Sequence, residues 1–304
     1  MTRDLLASLI IFAGLGLAPL VITSLYWQSV IIVAMFYALS AVGWNLLAGY
    51  TGQFSFATAG FSMIGGYTSA LLVLRGLPPV IGIAAGGLLS FLLGAMIGRL
   101  CFRLTGVYLA LTTLSFAEVV RLVISSEYDI TRGDLGLSVP PLYPPDQPLF
   151  YHFTFLATLL IVQLILYGIM RSPAGLYLQA IREDELAART RGIAVIRWKT
   201  LAFSISSGLI GLAGAMYVHF IGLATPEMGT ILQTGLVIAM CVIGGMGSLP
   251  GPLIGAFVVE ILSEYFTTFG LYHRVLFALL IIVVVRFFRE GLYGMMVRVA
   301  VRHG

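Results

Sequence analysis

Ten apolar stretches run along the chain, at roughly 5–22, 26–47, 57–74, 79–98, 106–124, 153–170, 200–222, 231–246, 252–268 and 275–289. Long apolar runs of this kind predict membrane helices rather than the alternating strands of a barrel. Several are shorter than the ~20 residues that cross a bilayer squarely. Ten spans therefore compete with eight or nine full spans plus re-entrant pieces. The expected fold is all-α: one polytopic membrane domain over 1–304, about 8–10 transmembrane helices, glycine-rich broken or re-entrant segments, and one polar helix outside the membrane. The first run, Leu5 to Ile22, follows a single cation and lacks a small-x-small cleavage pattern, so it is expected to stay as a first span.

One stretch breaks the apolar pattern. Arg171 to Lys199 carries three acids and six cations. Ser172 before Pro173 predicts an N-cap with proline at the first helical position, and Gly192 a C-terminal stop. Leu176, Tyr177, Ala180, Ile181, Ala187 and Ala188 fall on one side of such a helix, whereas Arg182, Glu183, Glu185 and Arg189 point elsewhere. Asp184 and Arg191 interrupt the apolar stripe. Two readings stay open from spacing alone: a surface that meets a polar partner, or a helix lying on lipid headgroups.

Composition then fixes the class. Hydrophobic residues make up 59% of the chain and charged ones 10%, with a mean hydropathy of +1.01, where a soluble domain is about a quarter charged. The net charge of +4 resides in arginines near membrane edges, so it speaks to topology and not to nucleic acid. Cys101 and Cys241 have no spaced partners, which argues against a disulfide scaffold or a metal site. Arginine bias places 171–199, the Arg99/Arg103 loop and a 286–304 tail bearing Arg286, Arg289, Arg298 and Arg302 in the cytoplasm. The segment 125–152 is acidic and proline-rich and is expected outside. Both termini then fall inside, with Arg75, Arg132 and Arg274 as exceptions.

Two glycine-rich stretches look unlike ordinary spans. The first runs from Asn45 to Ser55 and on to Gly60, Gly65 and Gly66; the second runs from Gly244 to Pro252 and on to Gly255. Each lies between an inward and an outward span, so they are candidates for corresponding parts of an internal repeat. Breaks there free backbone groups that lipid cannot satisfy, and such breaks occur where they face protein or a watery cavity. One reading is a substrate path lined by Asn45, Gly49, Thr51, Gly52, Gln53, Ser55 and Thr58, with Tyr50 and Phe54 beside them, and by Gly244, Gly245, Gly247 and Gly251. The other is close helix packing through small residues.

Enzyme chemistry is not visible. Lys199 is the chain's one lysine, preceded by Trp198, so no phosphate loop exists and any ATP must be bound elsewhere. No zinc-protease or nucleophile-elbow motif and no metal-spaced Cys/His cluster occurs, and no cofactor is expected. Glu118 and Arg121 stand three apart and can neutralise each other. Glu260, four before Glu264, is the one carboxylate an ion-coupled carrier could use. His219, near the end of its span, is expected to snorkel.

Four blocks carry a resemblance: WNLLAGYTGQFSFATAGFSMIGGYTSALL at 44–72, TGVYLALTTLSFAEVVRL at 105–122, SPAGLYLQAIREDELAARTRGI at 172–193 with WKTLAFSISSGLIGLAGAMY at 198–217, and VIGGMGSLPGPLIGAF at 242–257. Together they resemble the permeases of branched-chain amino acid ABC importers over nearly the whole chain. Glu185, Ala187, Ala188 and Gly192 stand where that family carries its cytoplasmic Glu-Ala-Ala…Gly loop; Leu186 departs from the plain consensus. The resemblance implies a multi-pass permease in a bacterial inner membrane, with no ATPase activity of its own. Its partners would be a second, homologous permease, two cytosolic ATP-binding subunits and a periplasmic binding protein. It also implies that Ser172, Pro173, Glu183, Asp184, Glu185, Ala187, Ala188, Arg191 and Gly192 belong to an ATPase-coupling helix. The implied substrates are branched-chain or other hydrophobic amino acids; urea, short amides or aromatic acids would suit the uncharged lining equally.

Overall fold

Apolar sequence without a polar face leaves the backbone to satisfy itself, and the chain does so with helices. The computed structural model describes residues 2–102, 104, 106–144, 147–267 and 291–302. The helices are α1 (Thr2–Val21), α2 (Leu25–Thr51), α3 (Thr58–Leu74), α4 (Pro79–Cys101), α5 (Val107–Ser126), α6 (Tyr128–Thr131), α7 (Pro148–Arg171), α8 (Pro173–Glu183), α9 (Glu185–Thr190), α10 (Val195–Ile221), α11 (Ile231–Gly244), α12 (Gly251–Thr267) and α13 (Gly291–Arg302). Among the described residues, six are long and apolar enough to cross a membrane: α1, α2, α4, α5, α7 and α10. The helices α3, α11 and α12 are shorter, with 17, 14 and 17 residues. The expected run at 275–289, and Arg103, Arg274, Arg286 and Arg289, lie outside the described residues.

Helix α2 is the axis of the bundle. All of its residues from Val30 to Thr51 except Val33 are buried, because α10, α12, α7 and α11 surround it. By contrast α1, α4 and α5 leave large aliphatic side chains such as Leu6, Leu88 and Val119 exposed, as helices at a lipid boundary do. The tightest crossing joins α3, α4 and α10. A Cβ on Gly65 would collide with the Gly211 carbonyl, and one on Gly86 would strike the carbonyl of Gly65. With no side chain between them the backbones approach closely, and dispersion replaces the hydrophobic drive that lipid withholds.

The bundle has two distinct ends. At one, α8 and α9 form a polar hairpin between α7 and α10. Asp4 and Tyr293 meet at that end too, the tyrosine hydroxyl donating to the carboxylate. At the other end the acidic 125–152 segment is more than a loop. It contains α6, a 3-10 turn and strand β1 (Leu137–Ser138), which pairs antiparallel with β2 (Leu223–Ala224) after α10. His219 anchors this pair. Its Nδ1 donates to the Pro140 carbonyl at 2.8 Å and its Nε2 pairs with the Ser69 hydroxyl at 2.8 Å. The expectation that His219 snorkels is therefore corrected: it is fully buried, and its two ring nitrogens have protein partners that make an aqueous exit unnecessary. Glu118 and Arg121 pair as expected, with Arg121 Nε 3.0 Å from the carboxylate.

Gly65→Ala should cost about 1–3 kcal/mol through overpacking and lower the melting temperature in detergent. Gly235→Ala is the control: that glycine sits inside α11 with open space around it. It should be neutral or stabilise by about 0.5–1 kcal/mol. Equal melting temperatures for the two variants would refute the close-crossing assignment.

Candidate functional site

The site begins where two helices stop. Helix α2 runs through Asn45 to Thr51, so most of the first glycine-rich stretch is helical and only 52–57 is broken. Gly52 ends the helix in the left-handed region at φ 72°, and the Gly52 and Gln53 N–H groups return to the Leu47 carbonyl. The broken residues are then held by side chains. Trp44 Nε1 donates to the Ser55 carbonyl at 2.9 Å, Phe56 N–H to Thr113 at 3.0 Å, and Ala59 N–H to Thr234 at 3.1 Å. Ser55 Oγ accepts from Ala57 N–H, and Thr51 donates to the Leu46 carbonyl.

The second break, 245–250, joins α11 to α12 and is held in the same manner. Asn45 Oδ1 accepts from Gly247 N–H at 2.8 Å, while its amide donates to the Ser248 carbonyl at 2.8 Å. Gln163 donates to the Leu249 carbonyl at 2.7 Å. Gly49 admits the approach: a Cβ there would meet both the Asn45 side chain and the Gly247 nitrogen. Gly244, Gly251 and Gly255 pack the helix pair against itself, and Gly245 takes φ 122° beside Gly291.

This geometry redistributes the residues expected to line a path. Asn45, Thr51 and Ser55 are 3%, 0% and 4% exposed, and their side chains are engaged with freed backbone rather than turned to an open channel. Gly49, Gly244 and Gly251 serve close packing. Gly52 is a helix cap, with Gln53 half-buried next to it. Thr58 and Gly247 are the two that open onto cavities, and on opposite sides of the joint. Thr58 lines a cavity of about 270 Å³ at the strand-pair end, together with Phe36, Tyr37, Ser40, Ser62, Tyr217, Glu227, Gln233 and Val237. Tyr37 donates to Gln233 at 2.7 Å across it, and Phe36 stacks on Tyr217 with centroids 4.3 Å apart. Gly247 lines a second cavity of about 500 Å³ at the hairpin end, with Asp4, Tyr50, Gln179, Arg182 and Glu183. The cavity residues Tyr37, Ser40, Ser62, Tyr217 and Gln233 were missed by sequence reading. They lie inside ordinary-looking apolar runs, and only packing shows that they converge.

The polar helix also needs correction. Pro173 to Gly192 is not one rigid rod; it breaks at Asp184, whose extended backbone (φ −155°) ends α8 and whose Oδ1 caps α9 by accepting from Leu186 N–H at 2.8 Å and Ala187 N–H at 3.0 Å. Ser172 stands at the N-cap position, but its hydroxyl donates backwards to Ile169 instead of capping. Pro173 opens α8, and Gly192 follows α9 at φ 82°, the stop that was expected. The expected apolar stripe also shifts. Leu178, Ile181 and Ala188 are buried, whereas Leu176 and Leu186 are 64% and 73% exposed, with Ala187 and Arg191 exposed beside them.

Two contacts fix the hairpin to the bundle. The Arg182 guanidinium donates to the Gly49 carbonyl and lies against Gly247. Lys199, fully buried at the base of α10, pairs with Glu185, which also accepts from Arg189 at 2.6 Å. Burial pushes the Glu185 carboxyl up, but its bonds to Lys199 and then Arg189 outweigh that and hold it below the usual carboxylate range. Among the described residues no cluster of three His, Cys, Asp or Glu could hold a metal.

A bundle of apolar spans, two broken helix pairs sealed against each other, and cavities on either side of the seal define a polytopic membrane permease. Comparison with known proteins makes the class specific. The family profile "Branched-chain amino acid transport system / permease component" matches residues 26–285; the chain belongs to that family and is a permease subunit of an ABC importer, not an enzyme. It is 29% identical to the high-affinity branched-chain amino acid transport permease LivM of Salmonella typhimurium, over 86% of this chain and 69% of the relative. The same figures hold for LivM of Escherichia coli. It is 28% identical to the LivH permease of Salmonella typhimurium, over 81% of this chain and 88% of that one. No solved structure matches significantly.

The Glu185 linkage gives a pH prediction. Its folded pKa is lowered, so its contribution is complete above the ordinary carboxylate range and is lost as pH falls through that lowered value. Hydrogen exchange of the α9 amides should therefore rise on acidification, and Glu185→Gln should remove the pH dependence while raising exchange several-fold at neutral pH. Unchanged α9 protection in Glu185→Gln would show that the Lys199 pair does not hold the hairpin.

Proposed function

We propose that this permease carries branched-chain or similar aliphatic amino acids across a bacterial inner membrane, moved by ATPases that dock on the α8–α9 hairpin. Both the LivM and LivH relatives are branched-chain amino acid permeases by name, and the existence of two such types supports a second, homologous permease beside this one. A periplasmic binding protein would deliver substrate at the strand-pair end, and the hairpin end with both chain ends would lie in the cytoplasm, as the arginine bias favours.

The single observation that carries this reading is the form of the hairpin. It leaves two leucines, Leu176 and Leu186, exposed among charged neighbours outside the apolar bundle, which is the composition of an interface core with a polar rim. At the same time Arg182 grips the carbonyl at Gly49, one turn along α2 from the Asn45 joint. A push on the hairpin would thus reach the seal between the two cavities through one guanidinium and the short α8 helix. No titrating group is required in that route, and the energy comes from the docked ATPases.

The test is uptake into proteoliposomes holding the assembled transporter. Leucine uptake should require internal or external ATP on the ATPase face and should survive collapse of the proton gradient; loss of uptake with the gradient would instead favour an ion-coupled carrier using Glu260. Within that assembly, Asp184→Asn keeps an N-cap acceptor and should keep most activity. Asp184→Ala removes the α9 cap, worth about 0.5–2 kcal/mol, and should reduce uptake per ATP hydrolysed with insertion unchanged. Full coupling in Asp184→Ala would sink the role given to the hairpin.

A further inference from the structure

A groove on the outside of the bundle, at the hairpin end, gathers three arginines from three different elements. Arg99 lies in the last turn of α4, Arg189 in α9 and Arg197 in the first turn of α10. Together they line a groove of about 900 Å³ whose other walls include Phe91, Ala95 and Leu201. The crossing of α4 and α10 explains the meeting. Gly86 faces Ala215, Gly94 faces Ser207 and Gly98 faces Phe203, so the two helices run antiparallel. The end of α4 therefore stands beside the start of α10. Phe91, Ala95 and Arg99 are spaced by four, as are Arg197 and Leu201, so each helix gives the groove one continuous face. The cations sit at the hairpin end, and the apolar side chains lie deeper.

Elsewhere arginine finds its partner in the protein. Arg121 pairs with Glu118, Arg171 lies 4.5 Å over the Tyr167 ring, and Arg182 donates to the Gly49 carbonyl. Arg99 and Arg197 are exposed, and neither has a hydrogen bond or ion pair among the described residues. Arg189 bonds Glu185 through one nitrogen, with its side chain still 50% exposed. No acid is among the described residues that line the groove, and Glu185 is already shared with Lys199. An uncompensated positive charge remains. Guanidinium groups match the oxygens of a phosphate in both charge and geometry.

The rest of the groove identifies what carries the phosphate. It opens to the lipid side: the adjacent row on α4, Leu88, Leu92 and Met96, is 60%, 54% and 56% exposed. From Arg99 to Phe91 the helix rises about 12 Å, against the ~15 Å that one leaflet contributes to the hydrocarbon core. A free phosphate would leave the apolar half bare. An acidic protein segment would have to enter hydrocarbon to cover it. We propose that this groove binds one anionic phospholipid, its phosphate held by Arg99, Arg189 and Arg197 and one acyl chain laid over Leu201, Ala95 and Phe91. Because Arg189 belongs to α9, the bound headgroup braces the hairpin against α4 and α10. The site is independent of which solute the permease carries.

The test is native mass spectrometry of the full-length chain, titrated in detergent with phosphatidylglycerol or with zwitterionic phosphatidylcholine. The wild type should retain one phosphatidylglycerol in preference. Arg99→Gln/Arg197→Gln should bind it about thirtyfold more weakly, the loss expected for two arginines near a membrane surface. Arg75→Gln/Arg132→Gln removes the same charge at the strand-pair end and should change nothing. These four arginines are exposed, so both double variants should melt as the wild type does. Leu201→Gln, which makes the apolar half polar, should weaken binding several-fold, and inorganic phosphate should not displace the lipid. Equal affinity for the two lipids, or equal loss in the two double variants, overturns the site. Full binding in Leu201→Gln together with displacement by inorganic phosphate would reduce it to a surface anion patch. If Arg99→Gln/Arg197→Gln instead keeps the lipid and loses the ATPase subunits, the arginines belong to a protein interface and the proposal fails.

Discussion

A helix that stops inside a membrane exposes backbone groups that lipid cannot bond, and everything distinctive in this protein follows from where those groups go. Two helix pairs stop: α2 before α3, and α11 before α12. The Asn45 side chain bonds the second break from within α2, and Trp44, the residue before it, bonds the first. One turn of one helix therefore reaches both breaks, and Thr113, Gln163 and Thr234 on other helices complete the hold. In a low-dielectric interior a carboxamide with an acceptor and a donor each matched at 2.8 Å is far preferable to the same groups left bare.

Because protein side chains bond the breaks, they form a seal with a cavity on either face. The strand-pair cavity is floored by Ser40 and Thr58, and the hairpin-end cavity reaches up to Tyr50 and Gly247. The second touches the joint at Gly247 and Leu249, while the first stops short of it. The first is walled by aromatic side chains, with Phe36 stacked on Tyr217, and has no lysine or arginine in its lining.

How much of this was legible in the sequence depends on the range of the interaction. The apolar runs within the described residues came through as helices, six of them long enough to span, because such runs have one stable solution in lipid, and the chain's own glycines marked both breaks. The tertiary use of those glycines was not legible. Asn45 and Ser55 read as path residues because a polar group in an apolar run signals function; the structure bonds the Asn45 amide to the Ser248 carbonyl 203 residues away and the Ser55 carbonyl to the Trp44 indole 11 residues away, pairings that no spacing rule contains. The helix at 173–191 misled for a local reason. Asp184 competes for nearby N–H groups as aspartate does at caps, and two such bonds outweigh the continuation of the helix. Ser40 and Ser62 were invisible because single serines inside spans usually bond their own helix.

The same bonding sets the energy of switching between the two cavities. On the proposed assignment, opening the seal means parting Asn45 from Gly247 and Ser248, at a net of about 0.5–1.5 kcal/mol per neutral hydrogen bond. Two such bonds amount to a few kcal/mol at most. Moving a two-state equilibrium from one side nearly completely to the other takes about 5.5 kcal/mol of differential binding, so the seal is strong enough to hold one state at rest and weak enough for a docked motor to reverse. Arg182 makes the connection economical. Its guanidinium bonds the carbonyl of Gly49 and touches Gly247, so it contacts both sides of the joint at once. A displacement of α8 therefore need not travel through the bundle as a diffuse strain. It arrives where the Asn45 side chain ties α2 to the break between α11 and α12.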